Sequence, residues 1–247
     1  MVRFLIIGDT GTGKTVTSLS VARYFRTLYY DVDIGTELWT RTLGVDTSRV
    51  KILTIRDWED YKRFDLQKLA NKQRPQLVVV DSISELYDKY KDYIQRYVRE
   101  TGKFPMPVAT GVVDLTKKGI NTEFITLPMQ MYSLLYDTIV NVVTAATSYS
   151  THTIITMHPL ETRMVAHRPD GSSDIVHSSA KLSFLQSVYR KVDVIIKLVK
   201  PMQGKVVKSR GDLQVPEDIV NPVEFITKKI GVVEDIQQGK EVSTNVQ

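Results

Sequence analysis

A segment near the start of the chain, residues 8–15 with the sequence GDTGTGKT, has the spacing of a phosphate-binding loop: a glycine, four residues, then glycine, lysine and threonine. A polyphosphate requires backbone N–H groups that converge on one point, and glycine-rich backbone before a helix N-terminus supplies them. Lys14 adds a positive charge for the β- and γ-phosphates, and the Thr15 hydroxyl can ligate Mg²⁺. The residues predicted to bind a nucleotide are Asp9, Thr10, Gly11, Thr12, Gly13, Lys14, Thr15 and Val16.

An acidic residue ends a second apolar strand, LVVVD at residues 77–81. Such a continuous apolar run is typical of a strand that is covered on both faces in a parallel sheet. The carboxylate of Asp81 would then lie at the carboxyl edge of the sheet, where the phosphate loop also lies. We interpret Asp81 as a Mg²⁺ ligand beside Thr15, with a simple strand cap as the alternative.

Strands and helices alternate along the chain around these residues. Strands are predicted at residues 3–7, near Val32, and at 50–55, 77–81, 151–158, 192–200 and 204–210, and helices at about 15–29, 57–71, 85–100 and 128–146. The alternation predicts an α/β domain with a mostly parallel β-sheet flanked by helices. We assign this domain to residues 1–230, with an insertion or mobile loop at 88–127, and a flexible C-terminal tail to residues 231–247.

The two motifs together resemble the core of RecA-type recombinases, including the shorter relatives encoded by phages and archaeal viruses. The matching segments are GDTGTGKT at 8–15, DVDIGTE at 31–37, RTLGVD at 41–46, VVVDSISEL at 78–86, TIITMH at 153–158 and KVVKSRGDLQVP at 205–216. The resemblance covers about residues 3–216. It implies a RecA-like P-loop NTPase core that uses ATP and Mg²⁺.

The resemblance also implies roles for side chains outside the two motifs. It carries over to Glu37 as the acid that polarises the attacking water, with Asp33 a weaker candidate because the spacing is shorter than in RecA. It carries over to His158 as the side chain that senses the γ-phosphate. Lys208 and Arg210 match two basic residues that reach the neighbouring subunit's nucleotide in RecA filaments, which implies a homo-oligomer with a shared site. The alternatives are a surface acid, a strand cap and a solvated strand face, respectively.

A polar, basic segment at residues 161–181 follows the predicted strand that ends at His158. In RecA the corresponding position holds a mobile DNA-binding loop, and a flexible basic loop suits backbone phosphates. The resemblance therefore implies nucleic-acid contacts for Arg163, His167, Arg168 and Lys181. The tyrosines of the helix at 85–100 offer rings for base stacking, but their spacing of three and four favours packing against a neighbour; they are Tyr87, Tyr90, Tyr93 and Tyr97.

The composition excludes several other functions. The chain has 247 residues, a formal net charge of +5, no cysteine and four histidines. It therefore lacks disulfides, thiolate zinc sites, iron–sulfur clusters and cysteine nucleophiles, and it has little with which to build a transition-metal site. No apolar run approaches the roughly 18 residues of a membrane span. We expect no membrane partner and a cytoplasmic location in a prokaryotic or virus-infected host cell.

These observations predict an ATPase that couples hydrolysis to single-stranded DNA binding in recombination or annealing. The mild positive charge permits an anionic partner without requiring one. Two alternatives use the same nucleotide site: a viral DNA-packaging or helicase-like motor ATPase, and a nucleotide-dependent regulatory or assembly protein with little hydrolysis. A small-molecule kinase is a further alternative, which the lack of an arginine-rich lid disfavours.

Overall fold

The computed structural model describes residues 1–102, 129–159, 163–167, 173–177, 186–210 and 218–232. The strands are β1 (Val2–Ile7), β2 (Thr27–Asp31), β3 (Val50–Thr54), β4 (Leu77–Asp81), β5 (His152–Met157), β6 (Arg163–His167), β7 (Ser173–His177), β8 (Val194–Lys200) and β9 (Gln203–Ser209). The helices are α1 (Lys14–Ala22), α2 (Thr36–Thr42), α3 (Trp58–Arg63), α4 (Leu66–Gln73), α5 (Ile83–Thr101), α6 (Met129–Ser148), α7 (186–191) and α8 (Pro222–Ile230).

Seven strands form one sheet in the order β3-β2-β4-β5-β1-β8-β9. All neighbouring pairs are parallel except β8 and β9, which form an antiparallel hairpin. The predicted α/β class with a mostly parallel sheet is confirmed. Parallel strands end at the same edge of a sheet, so the loop after β1 and the end of β4 lie together, with only β5 between them.

Two buried clusters cover the opposite faces of this sheet. Side chains alternate between the faces along each strand, so Leu5 of β1 joins one cluster while Phe4 and Ile6 join the other. The first cluster contains residues of α3, α4, α5, α6 and α7, and the second contains residues of α1 and α8. The helices therefore form layers on both faces of the sheet. A functional site can form at the carboxyl edge, between these layers.

The first predicted helix is too long, and the second strand begins earlier than predicted. α1 ends at Ala22, and residues 27–31, TLYYD, form β2 with every residue buried. The Thr27 hydroxyl donates to the carbonyl oxygen of Ala22 at 3.0 Å, which satisfies a group at the helix end. Tyr29, the last residue of the predicted helix, instead lies in β2 and is fully buried there; aromatic residues are favoured in strands.

The predicted helix at 57–71 is two helices, α3 and α4. Asp57 begins the first, because its carboxylate accepts a hydrogen bond from the backbone N–H of Asp60 at 2.8 Å. Asp65 begins the second in the same way, accepting from the backbone N–H of Lys68 at 3.0 Å. Aspartate is a strong N-cap residue, so the second cap interrupts what the apolar periodicity alone joins into one helix.

The predicted insertion and tail fall largely on undescribed positions. Within the predicted insertion at 88–127, α5 continues to Thr101, and residues 103–128 lie outside the described residues. Of the predicted tail at 231–247, only the first two residues are described: Gly231 caps α8 with φ at 77°, and Val232 is buried. Among the described residues, no helix combines the length and the apolar character needed to cross a membrane.

The tyrosines of α5 pack against neighbouring helices. The ring of Tyr87 stacks on that of Tyr136 of α6, with centroids 5.2 Å apart. The ring of Tyr90 lies 4.2 Å from that of Trp58 of α3. Both tyrosines therefore pack against the hydrophobic core, as their helical spacing predicts.

Candidate nucleotide-binding site

The glycine-rich segment forms a tight loop between β1 and α1. A Cβ atom at Gly8 would lie 2.3 Å from the Thr12 hydroxyl oxygen, so a larger residue does not fit there. Gly11 and Gly13 have φ values of 79° and 88°, in the left-handed region that glycine tolerates best. Gly13 is also the N-cap of α1, and no side chain caps this helix. Its first N–H groups are therefore available to an anion.

The side chain of Lys14 lies folded over the loop. It is only 5% exposed, and its ammonium donates to the carbonyl oxygens of Gly8 and Asp9 at 2.9 and 3.0 Å. Burial lowers the pKa of Lys14, and nearby carboxylates, led by Asp33, oppose this shift. A bound polyphosphate would add negative charge beside the ammonium and favour its charged form.

Asp81 is fully buried at the end of β4, beside the first turn of α1. Its carboxylate accepts hydrogen bonds from Tyr29 at 2.7 Å, from Thr156 and from the Thr15 side chain. Burial raises the pKa of Asp81, and the three donors oppose the shift. Burial also raises the pKa of Tyr29 well above its usual range, so its hydroxyl keeps the proton that it donates.

The two predicted Mg²⁺ ligands, Thr15 and Asp81, are therefore in contact. A hydroxyl and a carboxylate are hard oxygen donors of the kind that Mg²⁺ prefers, and this cation is commonly held by one or two protein groups together with substrate phosphates. The residues present fit that cation. When bound, it would neutralise charge on the β- and γ-phosphates.

A cavity of about 460 Å³ opens beside the loop. It has a charged end near Lys14 and an aromatic wall formed by Trp39 of α2, which is 37% exposed. An exposed aromatic face next to a phosphate loop suits stacking of a base. The sequence around Trp39 does not indicate this position, because nothing local shows that α2 turns towards the loop. The lining residues are Thr10, Gly11, Gly13, Lys14, Thr15, Val16, Asp33, Gly35, Trp39, Glu85 and His158.

Glu37 does not line this cavity, contrary to its expected role as the water-polarising acid. Its side chain is 84% exposed and pairs with Arg41 on the outer surface of α2, 2.9 Å away. The reason lies in the start of the helix. The Asp31 carboxylate accepts hydrogen bonds from the backbone N–H groups of Gly35 and Thr36 and from the Thr36 hydroxyl, which begins α2 at Thr36. Glu37 then falls on the turn that faces solvent.

Two other acids, Asp33 and Glu85, line the cavity beside His158. Ligand atoms of these three side chains all lie within 4.8 Å of one another. Ser82 holds both acids: its hydroxyl donates to Asp33 at 3.0 Å and accepts from the backbone N–H of Glu85 at 3.3 Å. Glu85 was missed, although Ser82 and Glu85 have the spacing of a helix-capping box directly after β4, which predicts an acid in the first turn of α5.

His158 follows β5 and lies between the Lys14 ammonium and the Asp33 carboxylate. Its Nδ1 lies 3.3 Å from Lys14 Nζ, and its Nε2 lies 3.8 Å from an Asp33 carboxylate oxygen. Its backbone N–H donates to the Ser84 hydroxyl at 2.9 Å. An ammonium can only donate, so the contact with Lys14 favours the tautomer that carries its proton on Nε2, facing Asp33.

Lys208 and Arg210 are not brought to this cavity. β9 runs antiparallel, so its last residue, Ser209, pairs with the first residue of β8, at the edge opposite the phosphate loop. The Lys208 ammonium donates to the carbonyl oxygens of Tyr189 and Val192, the latter at 2.9 Å. Arg210 is exposed and donates to the carbonyl oxygen of Arg190 at 2.6 Å. Neither side chain reaches the nucleotide site of its own chain.

The segment predicted as a DNA-binding loop contains a β-hairpin. β6 and β7 pair antiparallel, with Arg163 opposite His177 and His167 opposite Ser173. The prediction of a loop over the whole of residues 161–181 is therefore wrong at β6 and β7. Arg168 and Lys181 lie outside the described residues.

A strand, a glycine loop, a helix and an acid at the end of a nearby parallel strand define the class of this domain as a P-loop nucleotide-binding fold. A family model described as an AAA domain matches residues 1–219. The match covers most of the chain, and the chain therefore belongs to this AAA domain family of nucleotide-binding P-loop ATPases. No curated protein matches the chain significantly.

Proposed function

We propose that this protein binds ATP with Mg²⁺ in the cavity beside the loop and hydrolyses it. The main support for this proposal is that three kinds of group lie together at one edge of the sheet: a lysine ammonium, a hydroxyl–carboxylate pair and further acids. The pair is Thr15 and Asp81, and Asp33 is the acid with the largest effect on the pKa of Lys14. These are the groups that phosphoryl transfer to water requires.

In this proposal the side chains have separate roles. Lys14 and the N–H groups at the start of α1 stabilise the phosphates, and Thr15 and Asp81 hold Mg²⁺. Asp33, supported by Ser82 and facing His158, orients the attacking water and accepts its proton. The water oxygen bonds to the γ-phosphorus as the bond to the bridging oxygen breaks, leaving ADP and phosphate. His158 contacts both Lys14 and Asp33, which suits the γ-phosphate-sensing role.

Nucleotide binding is expected to quench the fluorescence of Trp39. The chain has two tryptophans, and the other, Trp58, is 6% exposed and packed among tyrosines of α3 and α5. A base stacked on Trp39 would change its emission in a saturable titration with ATP. The Trp58→Phe protein should keep the change and the Trp39→Phe protein should lose it. No binding of ATP by equilibrium dialysis would contradict the proposal.

We further propose that hydrolysis is coupled to single-stranded DNA in recombination or annealing, as the RecA resemblance implies. Support comes from the β8–β9 hairpin, residues 194–209, which carries four lysines and no acid. Lys197 and Lys205 are exposed and directly opposite each other across the hairpin. Opposed like charges destabilise a strand pair, and a bound polyanion would relieve that repulsion. A Cβ atom at Gly13 would lie 3.7 Å from the Cα atom of Pro201, so the hairpin turn lies close to the phosphate loop.

The DNA proposal is tested by ATP turnover and DNA affinity with single-stranded and duplex DNA over a range of salt. Single-stranded DNA should stimulate turnover. The Lys197→Ala/Lys205→Ala protein should bind more weakly, with a salt slope reduced by about 2, one unit for each lysine that no longer neutralises a phosphate. Lys51→Ala/Lys72→Ala, a pair of exposed lysines elsewhere, is the matched control. Stimulation by duplex DNA alone would favour a packaging or helicase-like motor. Stimulation by neither would favour a nucleotide-dependent regulatory or assembly protein.

A shared site in a homo-oligomer completes the proposal. Arg210 is exposed at the edge of the sheet opposite the cavity, so a head-to-tail neighbour could present it to another chain's nucleotide. Lys208 is the weaker candidate, because its ammonium already binds two carbonyl oxygens of its own chain. Arg163 and His167 of β6 are kept as further candidates for DNA contact, as are Arg168 and Lys181, which lie outside the described residues.

A further inference from the structure

We infer that Tyr29 and Thr156 are positioning residues for Mg²⁺: their hydroxyls clamp the Asp81 carboxylate from the two strands that flank it. This inference rests on the proposed function, because it concerns the same metal ligand. Nothing in the nucleotide-binding sequence pattern points to either residue. Both are fully buried, and neither lines the cavity, so they would act only through Asp81.

The sheet order places the clamp. β4 lies between β2 and β5, and all three strands are parallel. Asp31 of β2 is directly opposite Asp81, so Tyr29 is two residues earlier on the same face. Diagonal neighbours of this kind are about 7–8 Å apart, which a tyrosine can span and a shorter hydroxyl side chain cannot. Thr156 follows Ile155, which pairs with Val80, so it stands beside Asp81 and a short side chain suffices.

The hydrogen bonds of the clamp are set by which groups donate a proton and which accept one. The Tyr29 hydroxyl donates its single hydrogen to an Asp81 carboxylate oxygen, at 2.7 Å. The Tyr29 oxygen lies 2.7 Å from the Ser18 hydroxyl of α1, which can donate to it. Tyr29 thus connects the helix that follows the phosphate loop to the carboxylate that ligates the metal. Thr156 donates to the other carboxylate oxygen.

The functional consequence is a carboxylate held at a fixed orientation before any cation arrives. A buried carboxylate without donors is disfavoured, and a free one can rotate away from the Thr15 hydroxyl. Groups that hold metal ligands commonly change metal affinity by about 10–100-fold when removed. We therefore place Tyr29 and Thr156 among the determinants of Mg²⁺ affinity, distinct from the residues that contact ATP.

The test is a Mg²⁺ titration at fixed ATP, followed by both ATP turnover and Trp39 fluorescence. Tyr29→Phe is expected to raise the Mg²⁺ concentration for half-maximal signal by about tenfold or more. Tyr30→Phe is the matched control. Tyr30 is the next residue of β2, is equally buried, and loses one comparable hydrogen bond, to the Phe64 carbonyl oxygen at 2.7 Å. It faces the other side of the sheet, so its Mg²⁺ midpoint should stay at the wild-type value.

Two further variants keep the inference falsifiable. Thr156→Val removes the other donor with little change in shape, and it should raise the Mg²⁺ midpoint in the same direction even if Tyr29→Phe does not fold. Asp81→Asn distinguishes a failure of the metal assignment from a failure of the positioning role alone. If it leaves the midpoint unchanged, the metal assignment itself fails and the clamp fails with it. If Asp81→Asn raises the midpoint while Tyr29→Phe and Thr156→Val behave as Tyr30→Phe does, the positioning role alone is overturned.

Discussion

Replacing Lys14 by alanine is expected to lower the rate of ATP hydrolysis by about 10²- to 10³-fold, the usual cost of removing one preorganised group that stabilises charge in a transition state. The ammonium is already held at the phosphate loop by the carbonyl oxygens of Gly8 and Asp9, so it needs little reorganisation to meet a phosphate. The measurement is steady-state phosphate release at saturating ATP and Mg²⁺, supported by Trp39 titrations that report whether ATP still binds.

The Lys14 experiment needs a control for loss of fold and for loss of charge elsewhere. Circular dichroism should show that the Lys14→Ala protein remains folded at the assay temperature. Lys62→Ala removes a lysine that pairs with Glu59 at 2.7 Å and lies over the Tyr93 ring, outside the cavity. Its turnover should match that of the wild type. A folded Lys14→Ala protein with wild-type turnover would contradict the assignment of the site.

The parts of the site that could be predicted from sequence are those set by local chemistry. The phosphate loop is continuous in sequence, so the backbone of its glycines and the side chains of Lys14 and Thr15 are brought together within eight residues. Asp81 follows from a general property of parallel sheets, in which strand ends meet at one edge. Contact between Thr15 and Asp81 needed no knowledge of loops or helix orientations, and the sequence was sufficient for it.

The parts that could not be predicted depend on how helices begin. Whether Glu37 faces the cavity is decided by the Asp31 carboxylate, whose hydrogen bonds start α2 at Thr36 and turn the next residue outwards. The same turn brings Trp39 to the cavity wall. Apolar periodicity carries no information about such caps, which also explains why the helix at 57–71 was predicted as one. Tyr29 fits a helical and a strand pattern equally well, and only β2 places its hydroxyl on Asp81.

Replacing Asp33 by asparagine is expected to lower the rate constant for turnover by about 10²-fold or more, within the usual contribution of general base catalysis. Asparagine can still accept the hydrogen bond from Ser82, so the local structure should persist while the charge that orients water is lost. ATP should still bind, and Trp39 fluorescence should still respond. The effect is therefore expected in kcat, with little change in the ATP concentration for half-maximal rate.

Glu37→Gln and Glu85→Gln identify which acid acts. Glu37 is exposed and paired with Arg41, so Glu37→Gln should leave turnover within about twofold of wild type, as for most surface substitutions. A large loss of turnover in Glu85→Gln, together with only a mild loss in Asp33→Asn, would transfer the role to Glu85.

Mixing Asp33→Asn with Arg210→Ala tests a shared site. If one chain's arginine completes its neighbour's site, some mixed sites contain both an intact Asp33 and an intact Arg210, and activity should exceed that of either parent. A mixture no faster than its parents would assign the whole reaction to groups within one chain.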